Sequence, residues 1–144
     1  MFIHESKVRV RYAETDQMGY VYYGNYATFF EIARVDSMKS LGVSYKEIEN
    51  AGVIMPVLHY ATKYYKPALY DDELTIKTII KKLPTARIHF DFEVFKEVFR
   101  NRFASPVYRI GVPVAIHCSE RGWGVSYMLY NAHPHLSRNN ALTN

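Results

Sequence analysis

The chain has 144 residues, which suits one domain with a buried core and leaves no room for a second. Hydrophobic residues make up 49% of it and charged residues 22%, a balance that excludes an intrinsically disordered chain. The formal net charge of +4 comes from scattered basic residues, so a solvated surface explains it better than a nucleic-acid-binding patch does.

Cysteine content and the first residues bear on the cellular compartment. Cys118 is the single cysteine, so no internal disulfide can form, as is usual in a reducing compartment. The N-terminal residues MFIHESKVRV are too charged for a signal peptide, and no apolar run approaches the length of a membrane span. We therefore expect a cytoplasmic protein without a membrane span.

The first third of the chain predicts a strand followed by one long helix. Residues 6–12 alternate between basic and apolar side chains, which is typical of a half-buried strand with Val8, Val10 and Tyr12 on one face. After a polar turn, apolar positions recur at helical spacing for about five turns. These positions, up to the predicted stop at Gly42, are Tyr26, Phe29, Phe30, Ala33, Ser37 and Leu41.

Strand patterns follow the helix at 54–66, 73–81 and 87–95. The residues that alternate along the last two are Leu74, Ile76, Thr78 and Ile80, and then Ile88, Phe90, Phe92 and Val94. Weaker patterns at 107–118 and 124–132 each predict a strand, with Pro113 at an edge or a bulge. The order predicts an α+β fold, in which an antiparallel sheet of about five or six strands curls around one long central helix. A single domain over 1–144 is expected, with 133–144 as an irregular tail.

The segment YAETDQMGYVYYGNYATFFEIAR, residues 12–34, resembles the signature of the 4-hydroxybenzoyl-CoA thioesterase family of hot-dog-fold enzymes. The matching positions are Asp16, Gly19, Val21, Tyr22, Asn25, Tyr26, Glu31 and Arg34. The likeness extends loosely through KYYKPALYDDELTI and IHFDFEVF, so it covers about residues 6–97, whereas 98–144 depart from the family's final strand. The resemblance implies hydrolysis of a small or medium acyl-CoA, with coenzyme A as part of the substrate and no other cofactor.

The resemblance also implies two catalytic positions. Asp16 is expected to act as nucleophile or general base, although an aspartate before a helix is more often a cap or a turn former. The amide of Tyr23, at the start of the helix, is expected to polarise the thioester carbonyl. Relatives often carry histidine at that position, so the Tyr23 side chain either hydrogen-bonds the substrate or packs at an interface.

Further residues are implied to bind substrate. Gly24 would permit close approach of the thioester. Tyr22, Asn25 and Tyr26 would shape the acyl pocket, although Tyr26 lies on the apolar helical stripe and fits the core better. Cations for the phosphates of coenzyme A, with help from a neighbouring subunit, are expected at Lys63, Lys66, Lys82 and Arg87.

The same fold also occurs in proteins that are not enzymes. A non-catalytic acyl-CoA-binding or scaffold member of the same fold is the alternative, and Asp16 discriminates it from the enzyme. An RNA-binding domain would need clustered cations and recognisable motifs, and we expect no nucleic-acid partner.

Open sheet edges predict a homodimer or a homotetramer. No metal site is expected, because metal-ligand spacing is missing around His4, His59, His89, His117, His133 and His135.

Overall fold

An antiparallel sheet and one long helix form the part of the chain that this computed structural model describes. That part comprises residues 1–84, 87–96 and 112–117, the last range by its backbone alone. The described strands and helices are β1 (Phe2–Arg9), α1 (Asn25–Ser40), α2 (Tyr45–Asn50), β2 (Val57–His59), β3 (Glu73–Ile80), β4 (Arg87–Lys96) and β5 (Val112–His117).

The sheet has the strand order β1-β3-β4-β5-β2, and each neighbouring pair is antiparallel. Every second residue of β3 and β4 is buried, because successive side chains of a strand point to opposite faces. The helix α1 packs against β1 and β3. The predicted α+β architecture is confirmed, and the buried positions of β3 and β4 are Leu74, Ile76, Thr78, Ile80, Ile88, Phe90, Phe92 and Val94.

The aromatic stripe of α1 supplies much of the core. All six of the positions predicted for this stripe are buried. Phe30 stacks on Phe92 of β4 with ring centroids 4.8 Å apart, and this contact joins the helix to the sheet. After α1 the chain turns at Gly42, whose φ of +71° favours glycine, so the predicted stop is confirmed.

The chain leaves the sheet earlier than the alternating pattern of residues 6–12 predicted. The strand β1 ends at Arg9, and Val10 is still buried. Tyr12 is 78% exposed, so its predicted place on the apolar face is wrong. The cause is local, because the amide of Glu14 donates to the carbonyl of Arg11 (3.0 Å) and winds Tyr12–Glu14 into a 3₁₀ turn.

Two further elements differ from the prediction. The strand expected over 54–66 is only three residues long, Val57–His59, and all three are exposed. A short helix, α2, precedes it and was not predicted. Its N-terminus carries a reciprocal capping box between Ser44 and Glu47.

The strand β5 falls within the predicted range 107–118. It lies between β4 and β2, but β2 pairs only with Ala115 and Ile116, while Pro113 pairs with Asp91 of β4. Among the described residues Pro113 therefore has a strand neighbour on one side only, which is the local edge that was predicted. The expected strand at 124–132 and the tail at 133–144 lie outside the described residues.

Candidate active site

Asp16 lies at the tip of a small hairpin that connects the 3₁₀ turn to α1. Its amide donates to the carbonyl of Tyr20 (2.8 Å), and its own carbonyl accepts from the amide of Gly19 (2.9 Å). Carboxylate oxygen Oδ1 accepts from the amide of Met18 (2.8 Å), so Asp16 is a turn former. Oδ2 has no hydrogen-bond partner in the described part of the chain.

The base of this hairpin is joined to the start of α1. The carbonyl of Glu14 accepts from the amide of Tyr22 (2.9 Å) and from Nδ2 of Asn25 (2.8 Å). The Asn25 side chain, expected to bind substrate, thus holds the hairpin against the helix. Asp16 is two residues beyond Glu14 in the chain, so its Cα lies at most about 7 Å from the Cα of Glu14.

Two adjacent peptide groups at the helix start are held by their carbonyls. The carbonyl of Tyr22 accepts from the amide of Asn25 (2.9 Å), and the carbonyl of Tyr23 accepts from the hydroxyl of Tyr64 (3.1 Å). The N–H groups of the same two peptides belong to Tyr23 and Gly24, and neither has an acceptor among the described residues. Gly24 has φ −66° and ψ −25°, which is right-handed helical backbone, so its N–H lies at the start of α1, where N–H groups lack partners within the helix.

The rings of Tyr22 and Tyr23 lie together over this turn. Their centroids are 4.4 Å apart, and both rings are exposed, by 44% and 64%. A hydrogen bond with Tyr23 raises the pKa of Tyr22 above its ordinary value, and the charge of Tyr23 adds to the shift. A Cβ on Gly24 would lie 2.7 Å from Cε1 of Tyr22, so Gly24 makes room for this ring.

Tyr26 belongs to the core, the better of its two expected places. It is 3% exposed, and its ring meets those of Phe29 and Tyr64 edge-on, at 5.8 and 5.3 Å. Burial is the main cause that raises its pKa, while a hydrogen bond with the backbone of Ala68 lowers it in part.

The four expected cations fall into two places. Lys63 and Lys66 flank Tyr64, which contacts the helix start, and the Lys63 ammonium lies 5.2 Å from the ring centroid of Tyr65. Lys82 and Arg87 lie instead at the connection between β3 and β4. There they line a cavity of about 470 Å³ together with Lys81, Leu83, His89 and Asp91.

The sheet register separates Lys82 and Arg87 from Asp16 of the same chain. At one end of β3, the amide of Val10 donates to the carbonyl of Asp72, and the hairpin of Asp16 begins soon after. Ile80, at the other end of β3, precedes the connection that carries the two cations. Eight residues of β3 correspond to about 25 Å, too far for contact with one thioester.

A second cavity, which the sequence did not reveal, begins beside the helix start. It measures about 370 Å³ and is mostly apolar. Ala27, on its wall, donates its amide to the carbonyl of Gly24 (3.3 Å), so the cavity lies one helical turn from the two open amides. The other lining residues are Thr28, Phe30, Glu31, Arg34, Val57, Tyr60 and Phe92.

Glu31 and Arg34 do not pair with each other. The Arg34 guanidinium lies 5.1 Å from the ring centroid of Tyr45, and Glu31 makes no ion pair in the described part of the chain. In that same part, no three His, Cys, Asp or Glu side chains are grouped so as to hold a metal ion. No helix there is both long and apolar enough to span a membrane.

A family model of the thioesterase superfamily matches residues 18–98, which is more than half of the chain. The chain belongs to the thioesterase superfamily. YneP of Bacillus subtilis (strain 168), provisionally named an acyl-CoA thioesterase, is 33% identical to it over 112 residues, which cover 78% of this chain and 75% of YneP. The resemblance stated from residues 12–34 is confirmed, and the protein is a thioester hydrolase.

Two similar solved structures agree with the predicted hot-dog fold, which is confirmed. DHNA-CoA thioesterase from Staphylococcus aureus superposes with a TM-score of 0.78 and 27% identity, covering 99% of this chain and 98% of its own. The Thermus thermophilus protein TT1821 superposes with a TM-score of 0.79 and 29% identity, covering 94% and 98%. The superfamily match begins two residues after Asp16 and ends near residue 98, where the departure from the family pattern was expected.

Proposed function

We propose that this thioester hydrolase converts a small or medium acyl-CoA into the free acid and CoA. Asp16 acts as nucleophile or general base, and the amides of Tyr23 and Gly24 receive the carbonyl oxygen. The observation that carries the proposal is the pair of adjacent amides without acceptors in the described part of the chain, on peptides held by their carbonyls, in a turn that is hydrogen-bonded to the base of the Asp16 hairpin. Such preorganised donors stabilise the negative charge that develops on oxygen.

The two roles of Asp16 differ in the bonds that form. As a general base, the carboxylate takes a proton from water while the water oxygen attacks the thioester carbon. As a nucleophile, a carboxylate oxygen attacks that carbon, and water later cleaves the resulting anhydride. In both routes the C–S bond breaks, CoA leaves as thiolate and is protonated, and the acid gains one oxygen. Oδ2 is the oxygen available for either step, because Oδ1 holds the turn.

The acyl chain has a place in the cavity of about 370 Å³ next to the helix start. Its walls from Phe30, Val57 and Phe92 are apolar, and its volume suits a small or medium acyl group. Relatives support the substrate class, since their names include acyl-CoA and DHNA-CoA thioesterases. Tyr60, also on the wall, is a candidate specificity residue that the sequence did not reveal.

The phosphates of coenzyme A need cations, and each of the two cation groups is proposed to bind the coenzyme A of a different chain. Lys63 and Lys66 serve the site of their own chain, because they flank Tyr64 at the helix start. Lys82 and Arg87 serve the site of a second copy, because the register places them at the other end of the sheet. A homodimer, or a homotetramer built from it, is therefore part of the proposal, as is a cytoplasmic location.

Hydrolysis of a panel of short, medium, long and aromatic acyl-CoAs, followed by thiol release, tests the proposal. Asp16→Asn is the sharpest variant, because the amide oxygen of asparagine can still accept from Met18 while the charge is lost. We expect kcat to fall by about 10²- to 10⁴-fold with the fold intact. Asp36→Asn, a carboxylate change on α1 away from the hairpin, is the matched control and should keep full activity.

Turnover by Asp16→Asn at the wild-type rate would refute the role of Asp16. Tight binding of acyl-CoA without turnover by the wild type would instead favour the non-catalytic alternative. A single turnover in ¹⁸O-labelled water tests the nucleophilic route. Label incorporated into the Asp16 side chain identifies the nucleophile, whereas label found only in the free acid is the result of the general base and also of an anhydride cleaved by water at its acyl carbon.

A further inference from the structure

Tyr64 connects a distant part of the chain to the helix start. Its hydroxyl donates to the carbonyl oxygen of Tyr23 at 3.1 Å, across 41 residues of sequence. Its ring meets the buried ring of Tyr26 edge-on at 5.3 Å, so the hydroxyl is aimed by a packed aromatic contact. Partial burial, followed by the charge of Tyr60, raises the pKa of Tyr64, while a hydrogen bond with Thr62 lowers it in part.

The peptide group that Tyr64 holds is the one that carries the Gly24 amide. In a trans peptide the N–H points away from the C=O, so a donor fixed on the Tyr23 oxygen sets the direction of the Gly24 N–H. Hydrogen bonds in series polarise one another, so a bond at the carbonyl strengthens the N–H as a donor. The Tyr23 amide, by contrast, belongs to the peptide held by Asn25 within the turn.

We propose that Tyr64 is a positioning residue for thioester hydrolysis, which orients and polarises the Gly24 amide toward the oxygen of the transition state. This inference rests on the proposed function, because it gives the Gly24 amide its role there. Tyr64 does not contact the thioester. It acts through the Tyr23–Gly24 peptide, and its effect belongs to the step in which charge develops on oxygen.

Tyr64→Phe tests this role, because phenylalanine keeps the ring contact with Tyr26 and removes only the hydroxyl. We expect kcat to fall about 3- to 10-fold, the range for loss of one neutral hydrogen bond, with KM within about twofold of wild type. The urea midpoint should change little. Tyr70→Phe is the matched control, since Tyr70 is an exposed tyrosine whose ring contacts that of Tyr12, and it should leave kcat and KM unchanged.

A spectroscopic measurement separates positioning from general structural support. The probe is an acyl-CoA ketone analogue, in which CH₂ replaces the thioester sulfur, carrying ¹³C at the carbonyl. Its bound infrared carbonyl stretch should be lowered relative to solution in wild type and in Tyr70→Phe. In Tyr64→Phe the lowering should be smaller.

Three other outcomes would each contradict one of the roles described above. An unchanged kcat and carbonyl stretch in Tyr64→Phe would overturn the role of Tyr64 and leave the proposed function intact. A raised KM with unchanged kcat would also overturn it, because Tyr64 would then contribute to ground-state binding. A wild-type complex whose carbonyl stretch is not lowered would refute the oxyanion site itself.

Discussion

At the scale of single residues, Gly24 has backbone angles that other residues can adopt, but the ring of Tyr22 fills the space where a Cβ would lie. Its φ of −66° suits alanine, so Gly24→Ala should change the free energy of unfolding by less than about 1 kcal/mol. The new Cβ would lie 2.7 Å from the Tyr22 ring, which must move and disturb its pairing with Tyr23. We expect kcat to fall roughly 10-fold, measured by thiol release.

The steric origin of that loss can be tested with a double-mutant cycle. In a Tyr22→Ala background the ring is absent, so adding Gly24→Ala should cost little further activity. Additive losses would show that the alanine acts by another route.

Burial of Tyr26 should make the free energy of unfolding depend on pH in the alkaline range. Its folded-state pKa is raised above the ordinary 10.0, chiefly by burial, so the folded state binds the proton more tightly than the unfolded state does. Its contribution is fully present below pH 10 and is lost as pH rises through the higher folded-state pKa. Urea unfolding at pH 8 to 11 should show a smaller alkaline loss in Tyr26→Phe than in wild type, and equal losses would contradict this.

Single-residue roles were predicted from the sequence only where a local motif carried them. Asp16 and the helix start were found because turn and helix lie within one short segment. Tyr64 was missed because its partner is 41 residues away, and only the doubled tyrosine of KYYK offered a signal. Asn25 was assigned to substrate, since nothing local indicates its bond to the Glu14 carbonyl.

At the scale of elements, substitutions on the two faces of β4 should differ sharply in their effect on the free energy of unfolding. Phe90 is fully buried, and Phe90→Ala should lower the free energy of unfolding by about 3 to 5 kcal/mol, through lost burial and a cavity. The adjacent exposed residue His89 is the control, since His89→Ala should change the free energy of unfolding by less than about 0.5 kcal/mol. Urea unfolding measures both, and similar effects would contradict the assignment of faces.

Elements with a sustained period were predictable, and short ones were not. The helix α1 and the strands β3 and β4 carry several repeats of their pattern, so burial confirms nearly every position. The segment over 54–66 is apolar without alternation, and only Val57–His59 forms a strand. The helix α2 has a capping box at Ser44 and Glu47 that the sequence displays, and that signal was overlooked.

At the scale of the whole molecule, β2 lies at one edge of the sheet in the described part of the chain and carries exposed apolar side chains. Val57 and Leu58 are more than half exposed, and such patches mark association sites. Light scattering at micromolar concentration should give a multiple of the 16.8 kDa chain mass. Leu58→Lys should shift the mass toward the monomer and raise KM for acyl-CoA, because Lys82 and Arg87 would no longer reach the site of a second copy.

Glu49→Lys, a comparable change on the exposed face of α2, serves as the control and should keep the wild-type mass. A wild-type mass of one chain, with full activity, would contradict a shared site.

The sequence by itself determined the α+β class, the long helix, the buried faces of β3 and β4, and the resemblance to thioesterases. These depend on periodicity and on motifs that fit within one segment. Only the tertiary structure decided that Tyr64 holds the Tyr23–Gly24 peptide and that Lys82 and Arg87 lie at the far end of the sheet. The physical reason is that such contacts depend on strand register and chain reversal, which bring together residues with no shared local pattern.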